Sequence, residues 1–270
     1  MEFNSPIKKL NMKAKILFIN AMAMIMSMSS CKKEAGPEGQ QGAQGPGGPV
    51  LTGNLKGFVN HFDASGTKLT SNLAGDTLTI DGTTTMAVTD ATGAYTFSNL
   101  STGVYNLTIT RSGYGTTKIQ SLQFTGGGDL YRNANISKIP TNNLTGFMAY
   151  DTIINSVNHI RVRGSIPSST DDQTVMVFVG NPGSSTVNSG VANEISTYVI
   201  NVAAGITKYS KNIPTSELYD LGYVSGNTAY FAAYTIGGNT NASAYVDLTT
   251  NKPVYTALGS TPSFSNAPVQ

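Results

Sequence analysis

The chain has 270 residues, with 17 Lys and Arg against 15 Asp and Glu, one Cys and no Trp. A single cysteine excludes an internal disulfide framework, so packing has to supply the stability. Four of the basic residues (Lys8, Lys9, Lys13 and Lys15) lie before residue 16, which leaves no basic body suited to nucleic acid.

Lys13 and Lys15 precede an apolar run of 13 residues, 16–28, interrupted only by Asn20 and Ser27. That is too short to span a bilayer as a helix and has the length of a signal h-region. Small Ser29 and Ser30 then precede the one cysteine. Met28-Ser29-Ser30-Cys31 resembles the lipobox of bacterial lipoproteins, with Met28 where Leu is usual, as in Bacteroidetes-type lipoproteins. The resemblance implies cleavage after Ser30, lipidation of Cys31 and a mature protein anchored in the outer membrane. Lys32 rather than Asp follows Cys31, so the best-known inner-membrane retention signal is absent. The alternatives are a plain secretory signal that leaves Cys31 a free thiol, or an anchor that is retained. Met12 as well as Met1 suits the start of such a signal. Removing 1–30 takes away four lysines and Glu2, leaving 13 basic and 14 acidic residues in a nearly neutral body.

After Cys31, glycine recurs at every third position: Gly36, Gly39, Gly42, Gly45 and Gly48. Only glycine fits the axis of a collagen triple helix, so trimerisation through this run is one reading. Five triplets are few, and the other reading is a disordered Gly/Pro-rich tether reaching on the order of 45 Å at ~3.1 Å per residue.

Residues 51–139 read as strands separated by polar turns. Leu78 and Ile80 alternate with threonines, and Met86 and Val88 are expected to share the inward face that Tyr95 and Phe97 continue. Asp90-Ala91-Thr92-Gly93 is a turn, Asp bonding its own backbone and Gly taking positive φ. Tyr105, Leu107 and Ile109 point one way, Asn106, Thr108 and Thr110 the other, and Ile119, Leu122 and Phe124 belong to the next strand. With no helical period the expectation is a β-sandwich.

Gly57-Phe58-Val59, Thr89 through Phe97, Leu100 through Ile109 and Gly113-Tyr114 resemble, in order and spacing, a carboxypeptidase regulatory-like domain. The resemblance implies a seven-stranded, prealbumin-like Greek key without peptidase chemistry. A zinc carboxypeptidase requires a His-x-x-Glu pair, whereas His61 is followed by Phe62, Asp63 and Ala64, and His159 by Ile160, Arg161 and Val162. The Tyr-Arg-Gly-Ser ending of transthyretin-related hydrolases is also missing.

Residues 140–259 continue the β pattern. Val157, His159, Arg161 and Arg163 share one strand face, with Ile160 and Val162 on the other. Val175 through Val179 is a continuous apolar run of strand length, bounded by Gly180-Asn181-Pro182-Gly183. Further strands are expected at 198–202, 230–236, 245–248 and 254–255. About seven strands resemble the layout of a fibronectin type III or immunoglobulin-like sandwich, with Leu221, Tyr230 and Tyr234 as the leucine and corner tyrosines. Residues 260–270 read as a fraying tail.

His61 and His159 have no neighbouring ligand set in sequence, and Asp171-Asp172 reads as a polar turn. Nine of the thirteen tyrosines fall in the second domain, as inward or corner residues or as stacking platforms for glycans. Asp76-Thr77-Leu78 and Asp151-Thr152-Ile153 match the Asp-Ser/Thr-apolar sequon of the Bacteroidetes O-glycosylation system, making Thr77 and Thr152 candidate modification sites. The chain therefore reads as all-β: signal peptide 1–30, lipidated Cys31 and tether 31–50, two consecutive β-sandwich domains at 51–139 and 140–259, and a tail. The expected function is a non-enzymatic binding or structural module of the cell envelope, with no metal or cofactor and the membrane as partner through Cys31. An accessory glycan-binding protein of polysaccharide uptake and a hydrolase with an unrecognised site are the rivals.

Overall fold

The computed structural model describes residue 48 and residues 50–187, 194–242, 244–259 and 262–270. The signal segment, Cys31 and the glycine-repeat tether up to residue 47 lie outside the described residues. Residues from Pro49 onward form one compact unit. It is all-β and holds two sandwiches in sequence.

The first comprises β1 (Thr52–Phe62), β2 (Thr77–Ile80), β3 (Met86–Val88), β4 (Ala94–Ser101), β5 (Gly103–Thr110), β6 (Thr117–Phe124), β7 (Asp129–Tyr131) and β8 (Ala134–Ser137). One sheet runs β4-β1-β7 with β8 also on β1, and the other runs β3-β2-β5-β6. Alternation along β1 turns Leu55, Gly57, Val59 and His61 inward, as the period of two requires. Leu55 and Val59 meet Leu78, Phe97, Leu107, Ile109 and Ile136 in one buried cluster. The turn before β4 forms as expected: Asp90 Oδ1 accepts from the Thr92 and Ala94 backbone N–H groups, and Gly93 takes φ +81°.

β7 and β8 are two halves of one interrupted strand, both parallel to β1. Between them the Arg132 carbonyl presses against Gly57, where any Cβ would overlap it. Tyr95 donates its hydroxyl to the same carbonyl at 2.6 Å. Burial pushes that phenol up to about 12, which keeps it a donor. Phe58 N–H donates to the Asn133 side chain in place of a backbone carbonyl. The expected inward face of β3 is reversed: Met86 and Val88 are exposed, while Ala87 and Thr89 are buried. Thr89 is held inside by Asp76, and that contact fixes which face of β3 turns in.

The second sandwich comprises β9 (Thr145–Ile154), β10 (Val157–Ser165), β11 (Gln173–Gly180), β12 (Glu194–Val202), β13 (Lys208–Pro214), a six-residue helix α1 (Thr215–Asp220), β14 (Thr228–Ile236), β15 (Ala244–Asp247), β16 (Lys252–Tyr255) and β17 (Ser263–Pro268). Its sheets are β13-β10-β9 and β12-β11-β14-β17, with β15-β16 a separate hairpin. Asn155 and Ser156 both take positive φ between β9 and β10, the tight geometry that suits the twist of paired strands. Ile160 and Val162 face the core while Arg161 and Arg163 face outward.

β11 is buried throughout. Val175, Val177 and Val179 face the sandwich core, and Met176 and Phe178 face a second cluster with Val187, Tyr234 and Tyr255. Phe178 meets the Tyr234 and Tyr255 rings edge-on at 5.5 and 6.0 Å. A strand covered on both faces has no reason to alternate, which explains its continuous apolar run.

Two expectations are corrected here. The tail is not frayed: β17 pairs with β14, with Ala267 and Val269 buried at 1% and 0% exposure. Its alternating small residues, Ser263 to Pro268, mask a strand whose inward positions are few. The corner hydrogen bond belongs to Tyr223, which donates to the Gly180 carbonyl at 2.7 Å, and not to Tyr230 or Tyr234.

Deleting residues 262–270 should therefore remove an ordered strand and expose Ala229 and Phe231. We expect the truncated chain to lose its cooperative urea transition, whereas a dispensable tail would leave the midpoint unchanged.

Candidate functional site

Chemically distinctive side chains gather at the end of β1. The His61 and Asp76 side chains are fully buried, with Nε2 at 2.7 Å from Asp76 Oδ2. Thr89 accepts the Asp76 backbone N–H at 2.9 Å, and its hydroxyl lies 3.0 Å from Asp76 Oδ2. Arg111 Nη1 lies 3.4 Å from both Asp76 Oδ1 and His61 Nδ1, and it donates to the Ala74 carbonyl at 2.9 Å. Nη2 donates to the Asn72 carbonyl at 3.0 Å. These partners select a tautomer: Nε2–H donates to the carboxylate, and Nδ1 faces a guanidinium donor. The Tyr114 ring covers the cluster, 5.3 Å from the imidazole and 5.2 Å from the Arg111 guanidinium.

Sequence reasoning missed this assembly, because its members are spread over 50 residues and match no motif. In space His61 is surrounded by a carboxylate and a guanidinium that lie far from it in sequence. What the arrangement does is clamp the loop 63–76 onto both sheets. A sealed imidazole and carboxylate offer a substrate no approach.

Beside it, where the sandwiches meet, is a cavity of about 190 Å³ lined by Asp63, Lys138, Asn142, Asp171, Asp172 and Gln173, among others. The backbones of Gly66 and Gly238 abut so closely that a Cβ on either would overlap the other segment, and Gly238 N–H donates to the Ala64 carbonyl at 3.0 Å. Asn142 Nδ2 donates to Gln173 Oε1 at 2.6 Å, and Gln173 Nε2 to the Pro167 carbonyl at 2.8 Å. Asp172 caps the Ala204 N–H at 2.9 Å, consistent with a turn role. Among the described residues no group of three His, Cys, Asp or Glu side chains is placed to hold a metal ion. Partial burial pushes the Asp63 carboxyl up, but hydrogen bonds from Ser65, Thr67 and Gly66 outweigh it and hold the group below its ordinary 3.8.

The candidate modification sites differ. Thr77 is half-buried in β2, and its sequon partner Asp76 is committed to the buried cluster. Thr152 is likewise half-buried, on β9, but its sequon neighbours Asp151 and Ile153 are exposed, the latter at 70%. His159 is half-buried on β10, its Nδ1 2.8 Å from the Val157 carbonyl. Of the nine second-domain tyrosines only Tyr219 is exposed, at 40%. Even Tyr219 is tied down, donating to the Gln270 carbonyl at 2.7 Å, and Tyr198 donates to Glu217 at 2.9 Å.

Residues 57–137 match the family model of the carboxypeptidase regulatory-like domain, which covers most of the first sandwich. No curated protein matches the chain. Among solved structures, a type II cohesin–X-dockerin complex of Acetivibrio cellulolyticus is similar at 28% identity over 29% of this chain and 51% of that one, with a TM-score of 0.25. This chain thus spans about half the length of that structure. A candidate carbohydrate binding protein from Bacteroides uniformis is similar at 13% identity over 80% of this chain and 99% of that one, TM-score 0.27. A DUF3823 family protein from Bacteroides ovatus is similar at 13% identity over 82% and 100%, TM-score 0.24. At such TM-scores these likenesses carry no argument about ligand or activity.

Breaking a buried ion pair by neutralising one partner costs about 3–5 kcal/mol. Asp76→Asn should lower the urea-derived stability by about that much, and an unchanged midpoint would show the cluster to be idle. Because Asp63 is depressed in the folded state, its contribution is present above 3.8 and lost as pH falls through the lower folded value. Melting temperature in wild type should therefore drop more steeply below pH 3.8 than in Asp63→Asn.

Proposed function

We propose that the protein is a lipid-anchored component of the outer membrane whose β body acts by binding or as a structural element, without catalysis. The reading is carried by one juxtaposition: Met28-Ser29-Ser30-Cys31 ends 17 residues before the compact unit that begins at Pro49. A buried acyl chain contributes ~0.8 kcal/mol per methylene, and two or more chains give a stable anchor. Among the described residues no helix is long and apolar enough to cross a membrane; the anchoring proposed here is through Cys31. The glycine-rich tether then acts as the spacer between bilayer and body, and the loops at the sandwich ends are the contact surface.

The match of residues 57–137 to a regulatory-like domain supports the non-catalytic reading. So does the His61–Asp76 pair, the arrangement nearest to a catalytic dyad, because it is sealed from solvent. Accessory glycan binding is the second reading. A lone exposed tyrosine in the second sandwich weighs against aromatic stacking there, while a cationic, hydroxyl-lined groove on the same sandwich favours a polar mode of recognition.

The test of the anchor is metabolic labelling with an alkyne fatty acid together with membrane fractionation. Wild type should be labelled and sediment with the outer membrane. Cys31→Ala should be unlabelled and absent from that fraction. An unlabelled wild type would overturn the proposal.

A further inference from the structure

The outward face of the β13-β10-β9 sheet carries cations and no carboxylate. His159, Arg161 and Arg163 alternate along β10 with the buried Ile160, Val162 and Gly164. Across the ladder they oppose Thr152, Tyr150 and Met148 on β9, and Pro214, Asn212 and Ser210 on β13. Two residues further on, Ser165 opposes Lys208. Directly opposed residues share a sheet face, and three contacts show it here. Arg161 Nε donates to Asn212 Oδ1 at 2.7 Å, Arg163 Nε donates to Met148 Sδ at 3.3 Å, and the Arg163 guanidinium lies 5.3 Å from the centre of the Tyr150 ring. The ion pairs among the described residues involve neither arginine, nor Lys208. Since residues 31–270 hold 13 basic and 14 acidic side chains, this face is a local excess of positive charge on a nearly neutral body.

Apolar side chains share the face. Met148 and Val157 are 42% and 48% exposed, and Tyr150 and Ile154 are half-buried. Val157 opposes Ile154 at the Asn155-Ser156 turn, and Ile153 beside them is 70% exposed. One end of the sheet therefore presents an aliphatic turn to solvent, and the cations follow along the strand behind it. Neither feature is satisfied within the described residues: the guanidinium groups have no carboxylate, and the aliphatic turn has no cover.

The arginines stand two residues apart, about 7 Å at ~3.4 Å per residue, and Lys208 continues the row. Cations spaced along a flat sheet suit a layer of many phosphates better than a single ion. Guanidinium forks match phosphate oxygens, and each Lys or Arg near an anionic bilayer adds to the attraction. Aliphatic residues beside the cations suit the boundary just beneath the headgroups. An acidic protein would answer the cations alone and leave the turn unexplained. We propose that this face docks on an anionic lipid surface, with Arg161, Arg163 and Lys208 on headgroup phosphates and Ile153 and Val157 dipping into the boundary below. The proposal rests on the reading that Cys31 holds the chain at a bilayer. Acyl chains together with a basic patch make a two-signal attachment, and the patch decides which side of the body turns toward the lipid.

The test uses the chain from residue 31 onward with Cys31→Ala, which cannot be acylated and keeps every described residue. At low salt it should sediment with vesicles of phosphatidylglycerol and phosphatidylcholine, stay behind with vesicles of phosphatidylcholine alone, and be released by added salt. The double variant Arg161→Gln, Arg163→Gln should lower the partition coefficient about thirtyfold. Arg161→Lys with Arg163→Lys keeps the charge and should keep the binding. The chain has no Trp, so Val157→Trp is a lone reporter of the turn. Its emission should move to the blue with anionic vesicles, and that of Val104→Trp, 66% exposed on the first sandwich, should not. The proposal is overturned by failure to sediment with anionic vesicles, by equal sedimentation with neutral ones, by full binding of the glutamine variant, or by loss of binding in the lysine variant. A Val157→Trp spectrum unchanged by vesicles overturns it as well, and so does release by inorganic phosphate at lower ionic strength than by chloride, which would mark a discrete phosphate site. If the glutamine variant does not fold, the lysine variant and the Trp reporters decide. The tested chain carries no acyl group, so failure here leaves the labelling of Cys31 untouched, and failure of the labelling leaves vesicle binding as measured.

Discussion

The architecture depends on β11 being apolar on both faces. One face closes the sandwich core, and the other must also be covered, because Met176 and Phe178 would otherwise stand in water. The cover comes from Val187, Tyr255 and Leu258, so the segment after β14 has to fold back across the sheet before β17 returns to its edge. In doing so the β15–β16 hairpin meets the first sandwich: Lys118 lies over the Tyr245 ring at 5.2 Å, and the Thr256 hydroxyl donates to the Thr116 carbonyl. Burying one strand thus joins two modules that the sequence presents as consecutive and separate.

Much of this was legible in the residues. Period-two alternation located β2, β5 and β10 with the correct faces, and the Asp90–Gly93 turn fixed the hairpin into β4. Those are local properties, readable within a few residues. The failures share a different cause. Met86 and Val88 look like core residues until Asp76, on a neighbouring strand, claims Thr89 for the interior. β17 holds Ser, Asn, Ala and Pro with one large apolar residue, Phe264, which is exposed, so its strand state is imposed mainly by β14. The helix α1 is too short at six residues to display a period, and only Thr215 and Leu218 of it are buried.

The candidate sites divide along the same line. Motif reading can propose only sites such as Cys31, Thr77 and Thr152, all defined by adjacent residues. It could not find the cluster around His61, which joins residues distant in the chain. There every charge finds a partner within the protein, which makes the cluster a structural clamp.

β1 has one more property. It is the first strand of the body, 11 residues long, and it lies between β4 on one side and β7 with β8 on the other. Its ladder hydrogen bonds run across the strand axis. A pull directed along that axis from the N-terminal side would load these bonds together, in shear, and would not peel them apart one after another. A load of that kind would be shared across the whole ladder, leaving the folded body intact under drag.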